Sequence, residues 1–297
     1  MHFNFPIFGT VSKLFLFNPA VMTKNAIYLV LVLALFACNN DTKPAEDQQE
    51  GMAQFADDTS FQDKHEIPEE IAYQGKGTMR KIPGVDGTDV NAYVILAEKP
   101  FEKVLFVFQE WWGLNDHIKQ EADRLYDSLG NVTIIAPDMY DGNVATTRED
   151  AAEYMKAFTQ DRGSAIIQTL MGFCGSSADI ATIGWCFGGG LSLKASIQLG
   201  GQGAGCVLYY GMPVDNPADL GPLEADVLGI FADKDRSINT EVVRKFKENT
   251  SMAGKNLTVH SFDADHAFAN PSSPRYNEAA ATEANAIALN FLREKLK

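Results

Sequence analysis

The sequence predicts an α/β domain built on a mostly parallel, twisted sheet with helices on both faces. Three observations lead there. Apolar runs at residues 104–108, 132–136, 179–183, 206–210 and 227–231 suit strands buried on both faces. Segments of helical period lie between them, so the strands are joined by crossovers. At Ile183-Gly184-Trp185-Cys186-Phe187-Gly188-Gly189-Gly190 a strand runs into a helix through closely set glycines.

In chain order, residues 1–21 are apolar and aromatic without a helical period, and we read them as an upstream extension of the gene. Met22 to Asn25 is a short basic lead, residues 26–37 are an unbroken apolar run, and Cys38 follows. A run of about 12 residues is too short for a bilayer core that needs about 20, but it suits the apolar region of a secretory signal over residues 22–37. Leu35-Phe36-Ala37-Cys38 resembles a bacterial lipoprotein box, which implies an acylated Cys38 as the lipid attachment site. The implied location is the cell envelope, periplasmic or outer-membrane associated, with the lipid as the sole membrane contact. Residues 38–70, rich in Asp, Glu, Gln, Lys and Thr, read as a solvated tether. The folded domain is expected over residues 71–297.

Within that domain, residues 73–82 and 90–98 read as a hairpin around a Gly84 to Gly87 turn. A helix follows at 115–129, with Ile118, Ala122, Leu125 and Leu129 on one face and Gly130 as its stop. Residues 146–173 read as helical with Gly163 as an internal weak point, and 191–199 as the helix after the glycine-rich turn. Helices at 241–253 and 278–296 flank a last strand at 257–262; the closing helix turns Ala284, Ile287, Ala288, Phe291 and Leu292 inward.

Composition excludes some functions. A hydrophobic content of 45% supports a full core, and a net charge of -14 argues against a nucleic-acid or anionic-lipid surface. Cysteines 38, 174, 186 and 206 show no metal-ligand spacing, so neither a metal nor a cofactor is expected. Cys174 and Cys206 read as separate thiols, although an oxidised pair stays open.

The chemistry gathers around Cys186. Small residues two before and two after it let a strand turn sharply and lift the side chain between them, as in a nucleophile elbow with sulfur in place of the hydroxyl. A thiolate there sits at a helix N-terminus. In chain order Cys186 is followed by Asp235, with Asp233 as competitor, and by His266, which makes a nucleophile, acid, histidine sequence. Glu110 ends the strand at 104–108. Trp111 and Trp112 either wall an acyl pocket or pack in the core. His65, His117 and His260 carry no partner pattern and read as structural.

Four motifs together resemble the dienelactone hydrolase family of the α/β-hydrolase fold. They are Gly184-x-Cys186-x-Gly188, Gln109-Glu110-Trp111-Trp112-Gly113, Asp235-Arg236-Ser237-Ile238, and Asp263-Ala264-Asp265-His266-Ala267-Phe268. Ala136-Pro137-Asp138 adds to them, and the resemblance covers residues 73–296. It implies Cys186 as nucleophile, His266 as base, and Asp235 as the acid holding the imidazole, preferred to Asp233 for its spacing to Ile238. It implies Glu110 as a further carboxylate that pairs with the resting thiol and helps activate it. The backbone amides of Trp111 and Phe187 are the implied oxyanion hole. Where the best-known members carry a substrate-gripping arginine after the histidine, this chain has Asn270, and Arg148 and Arg275 do not align with it. An anionic dienelactone therefore loses its support.

A thiolate leaves a tetrahedral intermediate more readily than an ordinary alkoxide, so plain alkyl esters and amides revert. Activated esters and lactones, which expel a stabilised enolate or phenolate, go forward, and they are the expected small-molecule substrates. Two other readings compete: an inactive envelope binding protein on a hydrolase fold, and a redox thiol at Cys186.

Overall fold

The computed structural model describes residues 51–62 and 65–297. Its strands are β1 (Thr78–Ile82), β2 (Val90–Ile95), β3 (Lys103–Phe108), β4 (Thr133–Pro137), β5 (Asp179–Trp185), β6 (Gly203–Tyr209), β7 (Asp226–Ala232) and β8 (Leu257–Phe262). They form one sheet in the order β1-β2-β4-β3-β5-β6-β7-β8. β1 and β2 are the expected antiparallel hairpin, and β2 also meets β4 antiparallel. Every other pairing is parallel.

The helices are α1 (Thr59–Gln62), α2 (Asp116–Leu129), α3 (Arg148–Ala157), α4 (Gln160–Cys174), α5 (Phe187–Leu199), α6 (Thr240–Met252) and α7 (Glu278–Lys295). Two adjacent residues of β6 show how they cover the sheet. A methyl group on Gly205 would meet Phe291 and Lys295 of α7, whereas the Cys206 sulfur lies 3.6 Å from the Ser192 hydroxyl of α5. Successive strand residues face opposite ways, so α5 and α7 cover opposite faces. Behind α5, Ser192 donates to the Val207 carbonyl at 2.9 Å and Thr182 donates to the Ser192 carbonyl at 3.0 Å. These satisfied buried groups lock β5, α5 and β6 together.

The predicted helix at 115–129 forms with Asn115 as its cap, accepting from the Ile118 amide at 3.1 Å. It buries Ile118, Ala122 and Leu125. The single helix expected over 146–173 is instead two, α3 and α4, broken at Phe158. Thr147 and Thr159 cap them by accepting from the amides of Asp150 and Arg162. Gly163 is no weak point: a Cβ there would stand 2.6 Å from the Phe158 ring, so the missing side chain is what lets Phe158 fold back.

The tether expectation also needs correction at its far end. Residues Gly51–Phe55 form a 3-10 turn, α1 follows, and Met52, Ala56, Phe61 and His65 are buried against the domain. Met52, Ala56 and Phe61, with Ala53 and Phe55 packed beside them, dock the segment. The expected extension at 1–21, the signal at 22–37, Cys38 and the tether up to residue 50 lie outside the described residues. Among the described residues no helix is long and apolar enough to cross a membrane.

The glycines at the strand-to-helix turn set a first prediction. A Cβ on Gly184 would lie 2.0 Å from the Gly188 carbonyl oxygen, and one on Gly188 would lie 2.3 Å from that of Gln109. Both neighbours are backbone and cannot swing away. Gly184→Ala is expected to cost about 3 kcal/mol or more, a fall in Tm on the order of 10 °C for a domain of this size. Thermal denaturation followed by circular dichroism checks it; an unchanged Tm would mean that the elbow packs more loosely than described.

Candidate active site

The carboxyl ends of β3, β5, β7 and β8 lead to Glu110, Cys186, Asp235 and His266, where a parallel sheet gathers functional groups. Cys186 follows β5 directly, with φ 55° and ψ -118°, a left-handed conformation for a residue with a Cβ. Such a residue carries about 1–3 kcal/mol of strain, and neighbouring backbone holds it in place. Its amide donates to the Tyr209 carbonyl at 3.0 Å, and its own carbonyl accepts from Gly189 at 3.0 Å. The Phe187 amide, at the start of α5, is directed at the sulfur and lowers its pKa. Below it, Tyr140 packs on the Phe187 ring at 5.6 Å. Tyr140 belongs to the Pro137-Asp138 loop, which the Asp138 carboxylate closes by accepting from the Tyr140 and Gly142 amides at 3.0 and 2.5 Å.

His266 Nδ1 lies 2.5 Å from Asp235 Oδ2. The other oxygen of Asp235 accepts from the amides of Ser237 and Ile238 at 2.8 and 3.0 Å, which orients the carboxylate. Asp233 is exposed. With Nδ1 held by Asp235, Nε2 of His266 is the nitrogen left for the Cys186 thiol, and it is buried beside it. Burial opposes protonation of this ring, but the charges of Asp235 and Cys186 outweigh it and hold the pKa up at about 10. Burial pushes the Cys186 thiol up, with His266 opposing.

Glu110 is also buried. Burial raises its pKa to about 7, against the pull of His266, Asn270 and Arg275. Its Oε2 accepts from the Asn270 amide group at 2.7 Å, while Oε1 has no hydrogen-bond partner. Asn270 is thus the holder of Glu110, a role invisible in the sequence because the two lie 160 positions apart. A cavity of about 480 Å³ is lined by Glu110, Trp112, Trp185 and Asn270. Cys186 does not line it and is 1% exposed. The two tryptophans divide: Trp112 walls the cavity, and Trp111 is fully buried against Phe61, with ring centroids 5.4 Å apart.

His65, read as structural, packs beside His266. Its ring lies 4.8 Å from that of Trp111 and 5.4 Å from that of His266. Burial and the charge of His266 lower its pKa to about 3. The available signal was the Phe61 and His65 pair, four apart in otherwise polar text. His117 instead bonds the Glu69 carbonyl at 2.8 Å and lines the same cavity as Glu110. Cys174 and Cys206 are both free, buried thiols.

With this geometry in view, residues 90–296 match the profile of the dienelactone hydrolase family. The chain belongs to that family. Carboxymethylenebutenolidase 1 of Cupriavidus pinatubonensis is 28% identical over 227 residues, 71% of this chain and 94% of the relative. Carboxymethylenebutenolidase of a Pseudomonas species is 26% identical over 220 residues, 70% of this chain and 91% of the relative. Among solved structures, a dienelactone hydrolase-like promiscuous phosphotriesterase from metagenomic libraries shares the fold. Its TM-score is 0.65 at 21% identity, covering 75% of this chain and 100% of that one. An esterase from Thermogutta terrifontis shares it at a TM-score of 0.52 and 16% identity, covering 74% of this chain and 94% of that one.

Proposed function

We propose that this carboxylic-ester hydrolase of the dienelactone hydrolase family cleaves activated esters or lactones through an acyl-thioester on Cys186. The observation that supports the reading best is the 2.5 Å bond between Asp235 and His266 Nδ1, with Nε2 left for a sulfur at a strained elbow. In the first step the thiol proton passes to a base as sulfur attacks the carbonyl carbon. His266 is that base, its basicity raised by Asp235, and Glu110 assists from the cavity side. The amides of Phe187 and Trp111 stabilise the oxyanion. Collapse expels the enolate or phenolate, which takes the proton from His266. Water, deprotonated by His266, then cleaves the thioester, and the acid leaves with the thiol restored.

Incubation with an activated aryl ester at low temperature, followed by peptide mass spectrometry, is expected to find the acyl group on Cys186. An adduct elsewhere, or turnover after Cys186 is removed, refutes the reading. The anchor is part of the same proposal: the mature N-terminal residue is expected to be a diacylated or triacylated Cys38, readable by mass spectrometry of the detergent-extracted protein.

Asn270 supplies a second prediction. Its hydrogen bond favours the charged form of Glu110, so Asn270→Leu raises a pKa already near 7. If Glu110 must be ionised to help activate the thiol, kcat/KM rises with pH through that pKa. The acid limb therefore moves to higher pH in the variant, by on the order of one unit for a hydrogen bond to a charged group. An unmoved limb with unchanged kcat/KM at high pH removes Glu110 from the mechanism.

A further inference from the structure

We propose that His65, Cys186 and His266 form a binding site for a single zinc ion, which masks the sulfur when bound. One ligand atom from each lies within 4.8 Å of the others, and all three residues are buried. The donors are two imidazoles and a thiol, a set suited to zinc.

The orientation of the rings carries the argument further than proximity. His65 Nδ1 lies 2.8 Å from the Phe61 carbonyl, which only accepts, so this nitrogen bears the hydrogen and the lone pair is on Nε2. His266 is arranged alike, with Nδ1 against the Asp235 carboxylate at 2.5 Å. Both Nε2 atoms are buried; that of His65 has no hydrogen-bond partner, and that of His266 is turned to the Cys186 thiol. A metal-binding histidine characteristically gives its second ring N–H to a carbonyl or carboxylate, which fixes the tautomer and strengthens the ligand. Here one ring has the carbonyl and the other the carboxylate. The rings stand 5.4 Å apart at 68°, edge to face rather than stacked.

Tetrahedral zinc holds such ligand atoms about 3.3–3.6 Å apart, so closure from within 4.8 Å takes a movement of roughly an ångström. Glu110, whose charge acts on both Cys186 and His266, stands outside this set of three, so the protein supplies three ligands and leaves the fourth position open. As zinc bonds to sulfur and to Nε2 of His266, the protons held by the thiol and by that nitrogen leave to solvent. The ion then occupies the lone pairs of sulfur and Nε2. His65 comes from the docked N-terminal segment, so the site exists only while that segment is in place.

The test uses the full chain, stripped with a chelator and titrated with zinc in a calorimeter and with cobalt in a spectrophotometer. One equivalent of zinc is expected to bind, and cobalt is expected to give a thiolate-to-metal charge-transfer band. His65→Ala is expected to weaken zinc binding at least tenfold, and Cys186→Ser to abolish the band, with both variants folded by circular dichroism. The proposal is overturned if no such band forms, if the band survives in Cys186→Ser, or if His65→Ala binds zinc as tightly as the parent. Copper binding without zinc binding also overturns it. Binding and hydrolysis fail separately: a chain that shows the band but cleaves no ester sinks the proposed function alone, and the reverse sinks only the zinc site.

Discussion

Cys186→Ala is expected to lower kcat/KM for an activated aryl ester by roughly 10⁴-fold or more, about the cost of removing the nucleophile from a triad whose members act as a unit. The substitution takes away the only sulfur at the elbow and leaves the glycines, the Asp235 and His266 pair and the helix N-terminus intact. Alanine accepts the φ of 55° less readily than glycine but no worse than cysteine, and the removed sulfur leaves a small buried gap. Stability should therefore change little. Cys186→Ser is the sharper comparison. It keeps the geometry, but a hydroxyl is a far weaker acid than a thiol, so His266 must do more to activate it. Stopped-flow and steady-state assays with an aryl ester measure both variants, and activity within tenfold of the parent for Cys186→Ala would end the nucleophile assignment.

Asp235→Asn is expected to lower kcat by about 10⁴-fold with the fold retained. One oxygen of Asp235 accepts from two backbone amides, at 2.8 and 3.0 Å. An asparagine satisfies those donors by turning its carbonyl oxygen to them, so its NH₂ group faces His266 Nδ1. That nitrogen must then accept, the proton moves to Nε2, and the ring has no lone pair for the thiol. The loss is one of tautomer rather than of charge alone. At high pH the variant should not recover, because removing a proton from the neutral imidazole lies far outside the accessible range. A variant within tenfold of the parent, or one rescued by raising the pH, would show that His266 does not act as the base.

Most elements were legible because they depend on local pattern. The buried strands are short apolar runs, α2 carries its cap and its stop in its own text, and Gly184 and Gly188 bracket Cys186 at a spacing set by backbone crowding. The preference for Asp235 over Asp233 rested on resemblance, through its spacing to Ile238; the structure puts Asp235 against His266, with the amides of Ser237 and Ile238 on its other oxygen. The break at Phe158 was missed because Thr159 is an unremarkable residue until its hydroxyl is seen accepting from Arg162. The docking of residues 51–62 was missed because Met52, Ala53, Phe55, Ala56 and Phe61 are set in polar text without a regular period.

The sequence by itself determined the α/β order of elements and the glycine-bracketed turn at Cys186. Those follow from backbone sterics and short-range periodicity, which any stretch of ten residues expresses alone. Tertiary structure decided that Asn270 holds Glu110, that Trp111 is buried while Trp112 walls the cavity, and that His65 shares the space of Cys186 and His266. Each of those contacts joins side chains far apart in the chain, and only the packing of strands and loops against one another sets their distances.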